Sequence, residues 1–443
     1  MGALDFLKQV LENQWLRIRT LSIERHDATR LSELILRRMQ QPAPHLKTFM
    51  VPIIFPGNTI FSDPDFPLFA GSAPSLQIFN SLNVPFDHRG PWVSQLRELH
   101  LWDSDNNSAY RLLNLLARMP FLEAFETRGS NTIVVGDDPT NPLPKVVLPM
   151  LKRVFLDTRS SFSDWFQVLD NLIPADDCGL WLYHHPTTNL TAKDIDTLCQ
   201  LLSRHGSRYF SNRHTSNLFL YLAETEFNLR HDSEETNPSL DGSEESDSGE
   251  DEHPHDDSTS RNNFAFIVEC TSTLPENAAH SFLGALSPCQ FNGIRELALT
   301  ITGANLSPHD PNFNAFLDSL SSVEVMETDP VTLNFLIQGS NDRDTIILPA
   351  LQEVQMPFAD EVSNAPVLID EFLTWRRTSG TPICVLDLQR PFAKLLGDFS
   401  LLDDQQGLKM VWYDTTGRRV EYRCGSGKPE MLNFSKSPAW LAA

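Results

Sequence analysis

Three short stretches set chemically capable side chains between leucines. In QLRELHLW (Gln95–Trp102) they are Glu98, His100 and Trp102. In FLEAFETR (Phe121–Arg128) they are Glu126 and Arg128, with Ala124 before them, and in LKRVFLD (Leu151–Asp157) they are Arg153, Phe155 and Asp157. LKTFMVP adds Thr48, Met50 and Pro52 in the same slots. Residues spaced by two share one face of an extended chain, so these groups take one side and the leucines the other. Met50, Trp102 and Phe155 exposed among acids and bases have the composition of a protein-binding hot spot. The competing reading packs Trp102 and Phe155 beneath a loop.

Motifs for bond-making chemistry fail on inspection. CGSGKPE (Cys424–Glu430) suggests a phosphate loop, but glycine is needed where Tyr422 stands and Ser or Thr where Pro429 stands. DSDNNS (Asp103–Ser108) begins like a calcium loop, yet Ser108 replaces the glycine and Asn114 the bidentate glutamate. His184 and His185 are adjacent, which sends their rings to opposite sides of an extended chain and away from a shared metal. No H-E-x-x-H, G-x-S-x-G or G-x-G-x-x-G occurs. A triad assembled from distant residues stays open, but the expectation is a protein that is not an enzyme and takes no cofactor or metal. Cys178, Cys199, Cys270, Cys289, Cys384 and Cys424 contain no C-x-x-C pair and read as reduced thiols.

Charge narrows the partners. The formal net charge is −23, and twelve acidic residues without a single Lys or Arg fall between His231 and Asp257. Without those twelve the chain still stands at −11. Nucleic acid and anionic membranes need a basic face, so neither is expected as a partner. No apolar run approaches a membrane span, and MGALDFLKQVLENQW lacks the basic and apolar regions of a signal peptide. A cytoplasmic or nuclear location follows, in which the sequons at Asn106, Asn189, Asn305 and Asn433 carry no weight.

These groups need elements to position them. The pattern L-x-x-L-x-L, with any aliphatic residue or Phe as L, starts at Ile18, Leu46, Leu76, Leu96, Leu122 and Leu151, in steps of 28, 30, 20, 26 and 29. It resumes at Ile294, Val323 and Leu351, in steps of 29 and 28, with Thr328 in one apolar slot. Segments between these strands have helical spacing. They include RLSELILRRM, SAYRLLNLLARM, FSDWFQVLDNLI (with Ile173 on its apolar face), DPNFNAFLDSL and APVLIDEFLTWRR. TAKDIDTLCQLLSRHG starts at a Thr191 cap and stops at Gly206. A recurring period of this length predicts an α/β fold: an irregular leucine-rich-repeat solenoid, or horseshoe, with parallel strands on the concave face and helices on the convex face. Ile54, Ser104 and Arg159 occupy the slot where a standard repeat has turn-satisfying asparagine, which makes the repeats irregular.

His231–Asn263 has one aliphatic residue, Leu240, and cannot offset its ordering entropy. It reads as a disordered acidic insert (231–263) between an N-terminal repeat segment with a helical cap (1–230) and a C-terminal segment continuing the same solenoid (264–443). Within it, Ser248 with Asp251 three residues on fits an acidophilic kinase site. His253 and His255 form no preformed metal site.

The layout PAPHLKTF, FPLFAGSAPSLQIF, PWVSQLRELHL, LLARMPFLEAFE, LPMLKRVFL, LPALQEVQM and FLTWRRTSGTPICVLDL resembles the leucine-rich-repeat region of fungal, mushroom-type F-box proteins. The resemblance covers most of the chain outside the acidic stretch. It implies the substrate-recognition part of an SCF-type ubiquitin ligase, with a protein substrate on the concave face and a Skp1-type adaptor on an F-box. The helix ALDFLKQVLENQ suffices for a cap on the solenoid and is not an F-box. The alternative is therefore an F-box-less paralogue or scaffold with no ubiquitin role.

Overall fold

The computed structural model describes residues 3–23, 25–51, 68–82, 90–102, 107–128, 133–134, 142–158, 162–186, 189–213, 215–231, 263–340, 345–357, 364–391, 397–414 and 416–434. The protein is mixed α/β, with mostly parallel strands and intervening helices. It folds as two compact units, residues 1–197 with 261–271, and residues 198–260 with 272–443. No helix among the described residues is long and apolar enough to cross a membrane.

The first unit holds eight parallel strands side by side: Thr20–Ser22, Thr48–Val51, Ile78–Leu82, Glu98–Trp102, Ala124–Arg128, Arg153–Thr158, Gly179–His184 and Phe264–Glu269. Alternating burial marks two of them most clearly. Arg153, Phe155 and Asp157 are half-buried while Val154, Leu156 and Thr158 are buried, and Thr48–Val51 repeats the pattern. Leu99, Phe125, Val154 and Leu180 stand opposite one another across four strands and are at most 1% exposed. Truncating any of them to alanine would cost about 2–5 kcal/mol. Phe49, Phe69, Phe79 and Trp92 close the same core as an aromatic cluster with ring centroids 5.5–6.4 Å apart.

One backbone device recurs at the strand entrances. The carbonyl of Arg19 accepts from the N–H groups of both Lys47 and Thr48. Lys47 does the same for Gln77 and Ile78, Gln77 for Arg97 and Glu98, Arg97 for Glu123 and Ala124, and Glu123 for Lys152 and Arg153. In the second unit the series runs through Ser216, Arg295, Glu324 and Gln352. Each of these strands is thus started by the carbonyl at the preceding strand's entrance, which locks the parallel register.

The second unit departs from an all-parallel arrangement. Asn217–Ala223 pairs antiparallel with Glu226–His231, and Lys409–Tyr413 pairs antiparallel with Arg419–Arg423. Between these hairpins the 217–223 strand, Glu296–Thr302, Val325–Thr328, Glu353–Gln355, Val385–Pro391 and the 409–413 strand run parallel. The second hairpin turns where Asp414 Oδ1 accepts from the backbone N–H of Thr416 and Arg418, with Gly417 at φ 79°. Thr328, in an apolar slot, is accommodated because its hydroxyl donates to the Leu299 carbonyl at 2.8 Å.

Two helix boundaries differ from the sequence reading. Thr191 and Asp194 form reciprocal cap bonds as expected of a helix start, but Ala192–Asn212 continues through Gly206. Buried Tyr209 and Phe210 extend the apolar face and outweigh the glycine. Phe162–Asp170 stops before Ile173, which instead pairs with Val147 in a short parallel ladder and is exposed. All six cysteines are free thiols.

Candidate functional site

The parallel register gathers the singled-out residues of the first unit onto one sheet face. Met50, Asn80, His100, Glu126, Phe155 and Trp181 stand opposite one another on successive strands. Glu98 and Arg153 lie one step toward the strand starts, and Asp157 and Tyr183 one step toward the ends. The 98–102 strand ends at Trp102, opposite Arg128, though the Trp102 side chain lies outside the described residues. Pro52, Ile54, Ser104, Arg159, Ser248 and the 232–262 part of the acidic insert also lie outside them.

His100 and Glu126 lie on the expected face, yet they are buried there, at 7% and 5% exposure. They are therefore not open contact groups. His100 Nδ1 sits 2.7 Å from Glu126 Oε2, and Arg128 Nε donates to the other carboxylate oxygen at 2.5 Å. His100 Nε2 is 3.5 Å from Glu98 Oε2, a charge contact without hydrogen-bond geometry, and Arg153 reaches the same carboxylate at 3.9 Å. Burial pulls the imidazole toward neutrality, but Glu126 and then Glu98 outweigh it and raise its pKa to about 9. Burial likewise opposes ionisation of Glu126, and His100 with Arg128 overcomes it, to about 2. His100 also holds the Glu98 carboxyl below the usual range.

Beside this charged group lies an aromatic one. The Arg128 guanidinium covers the Phe155 ring at 4.8 Å, and Phe155 stacks on Trp181 with centroids 6.0 Å apart and planes 21° from parallel. Tyr183 donates to Glu269 Oε2 at 2.5 Å and stacks on His185. Its neighbour His184 points the other way, is buried, and contacts Thr158 Oγ1 at 2.9 Å. Burial pushes its pKa down to about 4. The adjacent histidines thus occupy opposite sides, as alternation requires.

Phe155, Arg128, Arg153, Asp157 and Met50 remain half-buried on the face. Trp181, Tyr183 and Glu269 join them, and the buried Asn80 lies on the same face, none of the four having been singled out. GLWLYH alternates like the other strands, but Asp177 stands where the repeat pattern begins, so the pattern search passes over it.

The carboxylates of Glu126 and Glu98 beside His100 favour its protonated form, in which both ring nitrogens donate. Among the described residues no group of three or more His, Cys, Asp or Glu could hold a metal ion. What the arrangement offers is a fixed set of charges beside a half-exposed aromatic stack, which suits recognition. No protein-family model matches the chain, and no characterised protein matches it at a significant level.

Proposed function

We propose that the chain is a non-catalytic protein-interaction domain, an irregular leucine-rich-repeat solenoid whose strand face is the concave, partner-binding side. The observation carrying this reading is the Phe155–Trp181 stack under Arg128, left half-exposed beside His100 and Glu126, which hold each other charged against their burial. Rigid aromatics with an adjoining guanidinium anchor protein interfaces because they bury much area at little entropic cost. Strands recurring every 20–30 residues, many of them started by the carbonyl at the preceding strand's entrance, support the solenoid.

The resemblance to mushroom-type F-box proteins extends the proposal to the substrate-recognition part of an SCF-type ubiquitin ligase. The test compares affinity capture by the wild-type chain with capture by Phe155→Ala/Trp181→Ala, together with co-precipitation of a Skp1-type adaptor. Partners lost with the double variant support the face. Adaptor recovery supports the ligase role, and face-dependent partners without adaptor support a scaffold with no ubiquitin role.

A further inference from the structure

The second unit carries a cavity on its own strand face, with a volume of about 210 Å³. It follows a register row: Phe219, Ala298, Glu327 and Gln355 stand opposite one another on four adjacent strands. Glu296 and Val325 line it one step toward the strand starts. Ala298 places only a methyl group between Phe219 and Glu327, and that missing bulk opens the hollow.

Glu327 is the unsettled group in this cavity. Among the described residues it has no hydrogen bond and no ion pair. Burial raises its pKa, and no neighbouring charge offsets that. The donors flanking the row are spent elsewhere. Gln355, directly opposite, donates its amide to Glu353 Oε1 at 2.8 Å and accepts from Gln389. Arg230, opposite Phe219, covers that ring at 5.6 Å and donates to Asn228 Oδ1. Glu327 itself is only half-buried and lines the open space, so its carboxylate can be reached.

These features select the occupant. Glu327 and the exposed Glu296 beside it repel an anion. A metal ion needs several ligands, and among the described residues no three His, Cys, Asp or Glu could hold one. The volume falls below the about 300–1,000 Å³ of small-molecule sites and suits a single side chain. Phe219, Ala298 and Val325 offer apolar walls to a methylene stem, and Glu327 offers an acceptor to its charged end.

We infer that this cavity seats a lysine or arginine side chain of a protein partner, its cationic end on the Glu327 carboxylate. The inference rests on the protein-binding reading and adds a contact within the second unit, which Phe155→Ala/Trp181→Ala does not alter.

The test pans a displayed library of random peptides against the full chain and rescreens each clone on Glu327→Gln, Ala298→Leu and Phe155→Ala/Trp181→Ala. Glu327→Gln keeps the shape and removes the charge, and with no partner to lose it is expected to melt no lower than wild type. Clones lost on Glu327→Gln are expected to share Lys or Arg at one position. Synthetic peptides with norleucine there are expected to bind about tenfold more weakly, the equivalent of one hydrogen bond to a charged group. The same clones are expected to be lost on Ala298→Leu, which fills the hollow and keeps the charge. Glu327-dependent clones with no fixed cation would overturn the chemistry of the occupant, and their survival on a folded Ala298→Leu would overturn the cavity as its seat. A lower melt for Glu327→Gln would show that the carboxylate already has a structural partner and would overturn the inference. Clones dependent on Phe155 and Trp181 but none on Glu327 would overturn it and leave the first unit's face standing. Absence of both kinds would overturn the two together.

Discussion

His100 Nδ1 lies 2.7 Å from Glu126 Oε2 on the neighbouring strand, and both side chains are buried. Each holds the other in its charged form against the desolvation that opposes it. Breaking such a pair from one side leaves an uncompensated buried charge, so Glu126→Gln should cost about 3–5 kcal/mol. It should also drop the His100 pKa below about 9, which a ring-proton NMR titration would read.

The same pair sets a pH dependence. His100 has a raised folded pKa, so its contribution is complete below its ordinary value of 6.5 and is lost as pH climbs through about 9. Glu126 has a depressed folded pKa, so its contribution is complete above 4.5 and is lost as pH falls toward about 2. The pair therefore stabilises most between these ordinary values. Denaturant melts should show stability falling from about pH 6 to about pH 9, and the fall should flatten in His100→Gln. An unchanged slope in the variant would contradict the assignment.

Arg376 is wholly buried and donates only to backbone. Nε reaches the Thr381 carbonyl at 3.0 Å, Nη1 that of Ile347 at 2.7 Å, and Nη2 those of Leu348 and Leu351 at 3.2 Å. Burial lowers its pKa to about 10, which leaves it charged at neutral pH. Arg376→Met removes every donor, and with unpaired carbonyls costing about 1–3 kcal/mol each the loss should reach at least about 3 kcal/mol. Arg376→Lys keeps the charge but not the fork and should recover only part of it. Chemical denaturation of the three proteins decides the order.

Gly339 sits inside the Pro330–Ser340 helix, where alanine would ordinarily add about 1 kcal/mol. Here an added Cβ would fall 2.4 Å from the Pro308 carbonyl oxygen, a backbone atom that cannot swing aside. Gly339→Ala should therefore destabilise, by about 1–3 kcal/mol, against the propensity trend. A melt above wild type would show that the two segments separate easily.

Much of the fold was legible because the aliphatic slots recur. Leu96, Leu99 and Leu101 are all buried, as are Leu151, Val154 and Leu156, so the residues between them share the opposite face. Two strands that the pattern passes over carry a non-aliphatic residue in the first slot, whereas Ile383, Leu386 and Leu388 at the Val385–Pro391 strand do fit it. Asp177 precedes Leu180 and Leu182, and Thr215 precedes Leu218 and Leu220. The second antiparallel hairpin depends on turn chemistry at Asp414 and Gly417 that a search for repeats does not score. Within the site, residue type and face could be read, but not depth. Glu126 and His100 are as charged in sequence as any surface pair, and only the neighbouring strands show that they are buried against each other. Asn80 gave no signal at all, since an isolated asparagine in a strand is unremarkable until its partner atoms are counted.

The central claim is that the face around Phe155 and Trp181 captures a protein. Quantitative affinity capture with wild type and with Phe155→Ala/Trp181→Ala, both shown by thermal melt to be folded, tests it most directly. A defined subset of partners enriched on the wild type should fall to background on the double variant. An identical partner set on both proteins would contradict the claim and remove this face as the binding surface.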